Sequence, residues 1–265
     1  MVRRLLASFG IGSARVDTLL TSHVLRPGER LEGIVHLRGG QADQRVLGIY
    51  LDLMTHVEHD DRLSTHTVAR FELGEELRLG AGQEAEVLFN FVLPPHTPST
   101  LSPDEANPKR PPRNRVWLRT GLAVSWGLDP QDSDPLEVLP LPAVEVALEG
   151  VRRAGFCLVG VRNATQIMLR GAWLSLPLPV VQTFTFVPTA SYKGRLDKLE
   201  LTLASLAEEL EFILQLDRST AGLIGLISDI RDADESTQRL RFPADLDDPE
   251  QARQRLGEAL EQAGI

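Results

Sequence analysis

Through the first half of the chain, apolar and polar residues alternate in short runs that turn residues interrupt about every ten positions. From Ala14 to Leu20, Val16, Thr18 and Leu20 fall on one side and Arg15, Asp17 and Leu19 on the other, which is the period of an extended strand. Arg26-Pro27-Gly28-Glu29 carries turn chemistry, because proline fixes φ and glycine accepts a positive one. A second strand is expected over Leu31 to Leu37, closed by Gly39-Gly40. A long third covers Val46 to Val57, where Ile49, Leu51, Leu53, Thr55 and Val57 share a face. Asp60-Asp61 turns the chain into Ser64 to Leu73, and Gly80-Ala81-Gly82 turns it into Ala85 to Leu93. There Val87, Phe89, Phe91 and Leu93 line one side. Short strands, glycine and proline turns and no βαβ alternation predict an antiparallel sandwich.

The plainest strand is Val116 to Val124, with Val116, Leu118, Thr120, Leu122 and Val124 on one face and Trp117, Arg119, Gly121 and Ala123 on the other. After it the sequence reads as an acidic turn, Asp129 to Asp134, a short apolar run from Leu136 to Leu139, and then Pro140 and Pro142. Here strand structure gives way to a linker. Val144, Ala147, Leu148, Val151 and Ala154 recur at helical spacing, and Gly155 supplies a stop, so a linker helix between domains is expected. Strand-like runs return at Phe156 to Val161, Val180 to Val187, Leu196 to Leu203, Leu210 to Leu216 and Arg239 to Phe242. Ala221 to Ile230 reads as a buried turn or short helix. Asp248 can cap a last helix with Pro249 in its first position and Gln251 completing a capping box. Ala252, Leu256, Ala259, Leu260 and Ala263 form its apolar stripe, expected to dock on the chain's own sandwich.

Composition narrows the function. The 265 residues suffice for two cores. A net charge of -9 argues against nucleic acid or an acidic bilayer as the principal partner. All but three of the 28 basic residues are arginine, the exceptions being Lys109, Lys193 and Lys198, a bias read as genomic. Cys157 stands alone, so an intrachain disulfide and a Cys-rich metal site are both excluded, which fits a reducing, cytoplasmic setting. Met1 to Ala14 resembles a secretory signal only superficially, since Ser8, Gly10 and Gly12 break its apolar run. It reads as a short amphipathic helix seating Leu5, Leu6 and Phe9 on a core, with peripheral membrane contact through the same residues as the other reading. No apolar run approaches the ~20 residues that span a bilayer.

Candidate chemistry is sparse. His56, Glu58, His59, Asp60, Asp61 and His66 lie close together across a presumed hairpin and offer imidazole and carboxylate ligands to a divalent metal. Their spacing matches no defined site, and residues at a hairpin tip are commonly polar without a ligand. Asp129, Asp132 and Asp134 could bind calcium if carbonyls completed the shell, but they lack the glycine and terminal glutamate of an EF-hand loop, and a hydrogen-bonded turn is the plainer reading. Cys157 follows a helix C-terminus, where the dipole disfavours a thiolate. No Lys-Ser/Thr follows the glycines of GIGSA or GLIGLIS, and no GxSxG elbow occurs. No catalytic, cofactor-binding or metal residue is therefore assigned, and no cofactor is expected. The proline-rich stretch from Pro94 to Asn114 predicts an exposed loop, and its PKRPP could serve as a polyproline ligand.

Several stretches together resemble one family. VWLRTGLAVSWGLDPQDSD (Val116 to Asp134), GIGSARVDTLL (Gly10 to Leu20), GIVHLRGG (Gly33 to Gly40) and YLDLMT (Tyr50 to Thr55) are similar to the bacterial sporulation-control family named after sporulation stage zero protein M. A weaker likeness runs through the helix after Pro142 and through FTFVPT at Phe184 to Thr189, so most of the chain is covered. The stretch from Ser102 to Asn114 is longer than the family pattern. The resemblance implies a mostly β protein of two tandem arrestin-like β-sandwich domains with a linker helix and a C-terminal helix. The expected division is 1–141, 142–247 and 248–265. It also implies an adaptor or scaffold with no catalytic centre, working through protein contacts, as family members restrain sporulation in spore formers. The expected partners are proteins, and open sheet edges would also suit a homodimer. A metal-binding protein or metal-dependent enzyme using the His56 to His66 hairpin is the alternative.

Overall fold

The alternation in Val116 to Val124 becomes the centre of a sheet. The computed structural model describes residues 14–59, 62–74, 76–103, 113–125, 129–169, 172–189, 191–205, 209–218 and 235–265. The first strands are β1 (Arg15–Leu20), β2 (Val24–Leu25), β3 (Arg30–Arg38), β4 (Gln44–His59), β5 (Arg62–Leu73), β6 (Leu77–Leu79), β7 (Glu84–Val92), β8 (Val116–Val124) and β9 (Gln131–Val138). One sheet runs β1-β3-β7 and the other β2-β9-β8-β4-β5, with β6 paired to β4. Ile49, Leu51 and Leu53 of β4 and Val116, Leu118 and Leu122 of β8 are buried, as are Leu31, Val35, Leu37 and Phe89 of the smaller sheet. These faces form a two-layer core, and the Thr18 and Thr120 hydroxyls meet across it at 2.6 Å. Gly28, at φ 87, makes the turn into β3 that the Pro-Gly pair predicts.

The acidic turn does not exist as such. Gln131–Val138 is a strand that pairs with β8, Thr120 opposite Asp132 and Leu118 opposite Asp134. Aspartate and proline are depleted in strands, so the run is hidden from periodicity. Pro135 is tolerated because β2 reaches β9 only at Glu137 and Val138, which leaves position 135 on an edge.

The second set comprises α1 (Pro142–Arg153), β10 (Phe156–Ala164), β11 (Ile167–Leu169), β12 (Ala172–Leu174), β13 (Val181–Pro188), β14 (Leu196–Ser205), β15 (Glu209–Arg218), β16 (Glu235–Pro243) and α2 (Pro249–Gln262). An antiparallel sheet runs β10-β13-β14-β15-β16, with β11 and β12 paired as a separate hairpin. Phe156, Phe184, Phe186, Phe212, Leu214, Leu240 and Phe242 are buried together with Val144, Leu148 and Val151 of α1 and Leu256 and Leu260 of α2. Both helices thus cover one face of this sheet. Ala164, Ile167, Val181, Ala204 and Ile213 form a smaller apolar cluster of their own.

The helix after the prolines forms where its spacing places it, ends at Gly155 with φ 97, and contributes its apolar stripe to this second core. The terminal helix also docks in cis. Asp248 caps it by accepting from the Glu250 N–H at 2.9 Å. The stretch Ala221 to Ile230 lies outside the described residues. The chain clusters into two compact units, Met1–His56, Thr65–Thr97 and Arg115–Leu139 in one and Val57–Ser64, Pro98–Asn114 and Pro140–Ile265 in the other.

Candidate functional site

Among the described residues His56 and Glu58 of β4, with His59 and His66, form no group of three or more that could hold a metal ion. His56 stacks against Trp117 with ring centroids 4.9 Å apart. Burial, aided by the charge of Arg115, pushes its imidazole below the usual range. Glu58 accepts from Arg113 at 2.7 Å. Asp60 and Asp61 lie outside the described residues, as do Leu5, Leu6 and Phe9.

Two of the aspartates near β9 guard backbone groups. Asp132 Oδ2 accepts the Thr18 N–H of β1 at 2.8 Å, and Asp129 Oδ1 accepts the Val124 N–H at 3.1 Å. Asp134 is raised to about 6, chiefly by burial and then by the charge of Asp132, with His23 opposing. Asp129 and Asp132 thus act as hydrogen-bond acceptors for neighbouring strands.

Thr97 to Ser99 and Asn114 of the proline-rich stretch are buried, where a solvated loop is expected from the sequence. Ser99 donates to Gln182 Oε1 at 2.7 Å, and Asn114 Nδ2 donates to the carbonyls of Ser99 and Leu101 at 3.0 and 2.7 Å. Buried backbone carbonyls need such partners. The PKRPP motif lies outside the described residues.

Sequence reasoning missed an ion cluster on β4, β5 and β8. Asp52 is fully buried and accepts from Arg70 Nε at 2.6 Å, Arg70 Nη2 at 2.9 Å and Arg119 Nη2 at 2.5 Å. Burial pushes its carboxyl up, but hydrogen bonds and charge from the two arginines outweigh this and hold it below the usual range. The signal lay in the single acid of the apolar run Tyr50 to Thr55, which needs a partner once buried.

The remaining surface with a distinct character is the outer face of β1-β3-β7. Registers line up Leu19, Ile34 and Leu88 across the three strands, with Asp17, His36 and Glu86 in one flanking row. Leu19 is 54% and Leu88 77% exposed. On the other side Arg30 donates to Asn90 Oδ1, and Asn90 Nδ2 donates to Glu32. This is an apolar strip between polar rows, a form suited to contact with another macromolecule.

The chain and its fold have known relatives. The family model described as SpoOM protein matches residues 2–220. The chain belongs to the SpoOM protein family. It is 33% identical over 266 residues to the sporulation-control protein Spo0M of Bacillus subtilis strain 168, covering 98% of this chain and 97% of that one. The crystal structure of Spo0M from the same organism superposes with a TM-score of 0.77 at 32% identity, covering 96% of this chain and all of that one. The mostly β fold is therefore the SpoOM fold. Among the described residues of this SpoOM chain, no group of three or more His, Cys, Asp or Glu side chains is placed to hold a metal ion. No helix among them is long and apolar enough to cross a membrane.

Proposed function

We propose that this SpoOM chain is a noncatalytic, arrestin-like regulatory adaptor that acts in the cytoplasm by holding other proteins. The observation that carries the reading is the apolar row Leu19–Ile34–Leu88, exposed at both ends, on a sheet whose opposite face buries Leu31, Val35, Leu37 and Phe89 in the core. Large apolar side chains lined up on one outer face cost solubility unless something covers them. Supporting it are a relative named for sporulation control, a lone cysteine in the whole chain, and the absence from the sequence of a nucleophile elbow or phosphate-binding loop.

The reading is tested by crosslinking in the native cell. Wild-type protein and a Leu19→Glu/Leu88→Glu variant, matched in folding by circular dichroism, are compared. A reproducible set of partner proteins that the variant loses supports an adaptor. The absence of any reproducible partner from wild type counts against it.

A further inference from the structure

The sheet edges formed by described residues differ in how they are guarded. Edge strands invite strand addition, and proteins blunt them with charge, proline, bulges or covering groups. Along β1 the Thr18 N–H is already taken by Asp132. On β10 the pairing shifts register between Leu158 and Gly160, the mark of a bulge. Arg62, Arg70 and Glu72 lie along β5, and β16 carries Arg239 and Arg241, both bonded to Glu211. β2 has two residues only.

Among the described residues β7 has no proline and no register shift, and its charge is confined to one end. Its pairing with β3 is unbroken from Arg30 opposite Val92 to Arg38 opposite Glu84. Its stretch VLFNFV, Val87 to Val92, holds no charge and no proline. Among the described residues β7 pairs with β3 alone. Its two charges sit together at one end. Glu84 and Glu86 are 74% and 65% exposed in their side chains, with Arg38 at 3.8 Å and His36 at 3.3 Å.

We infer that the free edge of β7 takes an extended segment of a partner protein as a fourth strand. That segment is apolar beside Val87 to Val92 and basic where it passes Glu84 and Glu86. Main-chain hydrogen bonds supply affinity in such additions and alternate side chains supply specificity. An apolar residue opposite Leu88 extends the Leu19–Ile34–Leu88 row across a fourth strand, and lysines opposite Glu84 and Glu86 form favourable cross-strand pairs. A second copy of this chain fits less well. Antiparallel self-pairing centred on Leu88 sets Glu86 against Asn90 and Glu84 against Val92, and parallel self-pairing sets glutamate against glutamate. The inference rests on the adaptor reading and names the chemistry of its partner.

The probe is the labelled peptide TVTVITKTK, whose isoleucine meets Leu88 and whose lysines meet Glu86 and Glu84 in an antiparallel addition. Binding to the full chain is read by fluorescence anisotropy, and its place by amide hydrogen exchange. Expected are saturable binding and slowed exchange confined to residues 84–92. Glu84→Lys/Glu86→Lys weakens binding about tenfold, and a peptide with glutamates in place of the lysines recovers it on that variant. No saturable binding, binding indifferent to the charge reversal, or protection outside β7 overturns the inference. So does a dimer in sedimentation that Leu88→Glu converts to monomer, because the edge is then filled by a second copy. Partners captured in the cell that survive Leu88→Glu leave the adaptor reading standing and remove β7 as its site.

Discussion

Gly121 stands directly across the strand pair from Tyr50, and the tyrosine ring fills the space a side chain at 121 would need. A Cβ built there meets Tyr50 Cζ at 2.1 Å. The ring in turn lies under the Arg70 guanidinium at 4.8 Å, and Arg70 holds Asp52. The smaller sheet repeats the device, with Phe89 opposite Gly33 and only 2.7 Å from a Cβ there. Glycine in a strand interior commonly marks such a close approach.

Gly121→Ala therefore overpacks the sheet and is expected to cost about 1–3 kcal/mol in urea unfolding. Adding Tyr50→Ala removes the clash, so the double variant loses less than the two single losses combined. Strict additivity would show that the ring does not depend on the glycine.

Asp52 gives a second expectation. Removing the buried partner of an ion cluster leaves its cations uncompensated, and Asp52→Ala should cost about 3 kcal/mol. This is the low end of the usual range, because both arginines reach solvent. The carboxyl lies below its ordinary value in the fold, so its contribution is full above the unfolded pKa and is lost as pH falls through the lower folded value. Unfolding free energies of wild type and Asp52→Asn should converge as pH falls below about 4. A gap that stays constant down to pH 2 would refute the assignment.

The same sheet shows what could be read from the sequence. The Val116 to Leu122 face declares itself by period two because Val116, Leu118 and Leu122 are apolar and every second residue from Val116 is buried. Asp52 does not, since its arginines come from strands β5 and β8, and only the register that sets Asp52 opposite Arg119 brings them together. Asp132 and Asp134 carry turn chemistry locally, and pairing with β8 overrides it. In the second half the stripe of α1 is legible, but a stripe does not say which surface it covers. The buried Ser99 of the proline-rich stretch depends on Gln182, a residue 83 positions away. Local pattern fixes which face is apolar, and long-range register decides where the polar groups find partners.

Asp134 titrates in the opposite sense from Asp52. Its pKa is raised to about 6, by burial first and Asp132 second, so the fold favours its protonated form. Stability from this group is full below the unfolded value near 4 and falls as pH rises to about 6. Asp134→Asn should leave stability near pH 3.5 unchanged and raise it at pH 7.5 by on the order of 1 kcal/mol, allowing for its contact with solvent. Chemical denaturation at the two pH values checks this. An equal effect at both would mean the gain has another source.

Gly150 sets the distance between α1 and α2. A Cβ there meets Ala252 Cβ at 2.5 Å, the Pro249 carbonyl oxygen at 2.6 Å and the Arg253 nitrogen at 2.9 Å. Two opposed effects decide Gly150→Ala. Alanine favours the helix by about 1 kcal/mol, while overpacking against backbone atoms costs about 1–3 kcal/mol. Overpacking wins here because the first turn of α2 cannot rotate out of the way as a side chain could. Lifting α2 also exposes Leu256 and Leu260, which are buried against the second core. The variant should be destabilised in thermal unfolding, with faster amide exchange over 249–262 than elsewhere. Adding Ala252→Gly removes only one of the three contacts, so rescue should be partial. Stabilisation by Gly150→Ala would show instead that α2 rests on the sheet without close contact to α1.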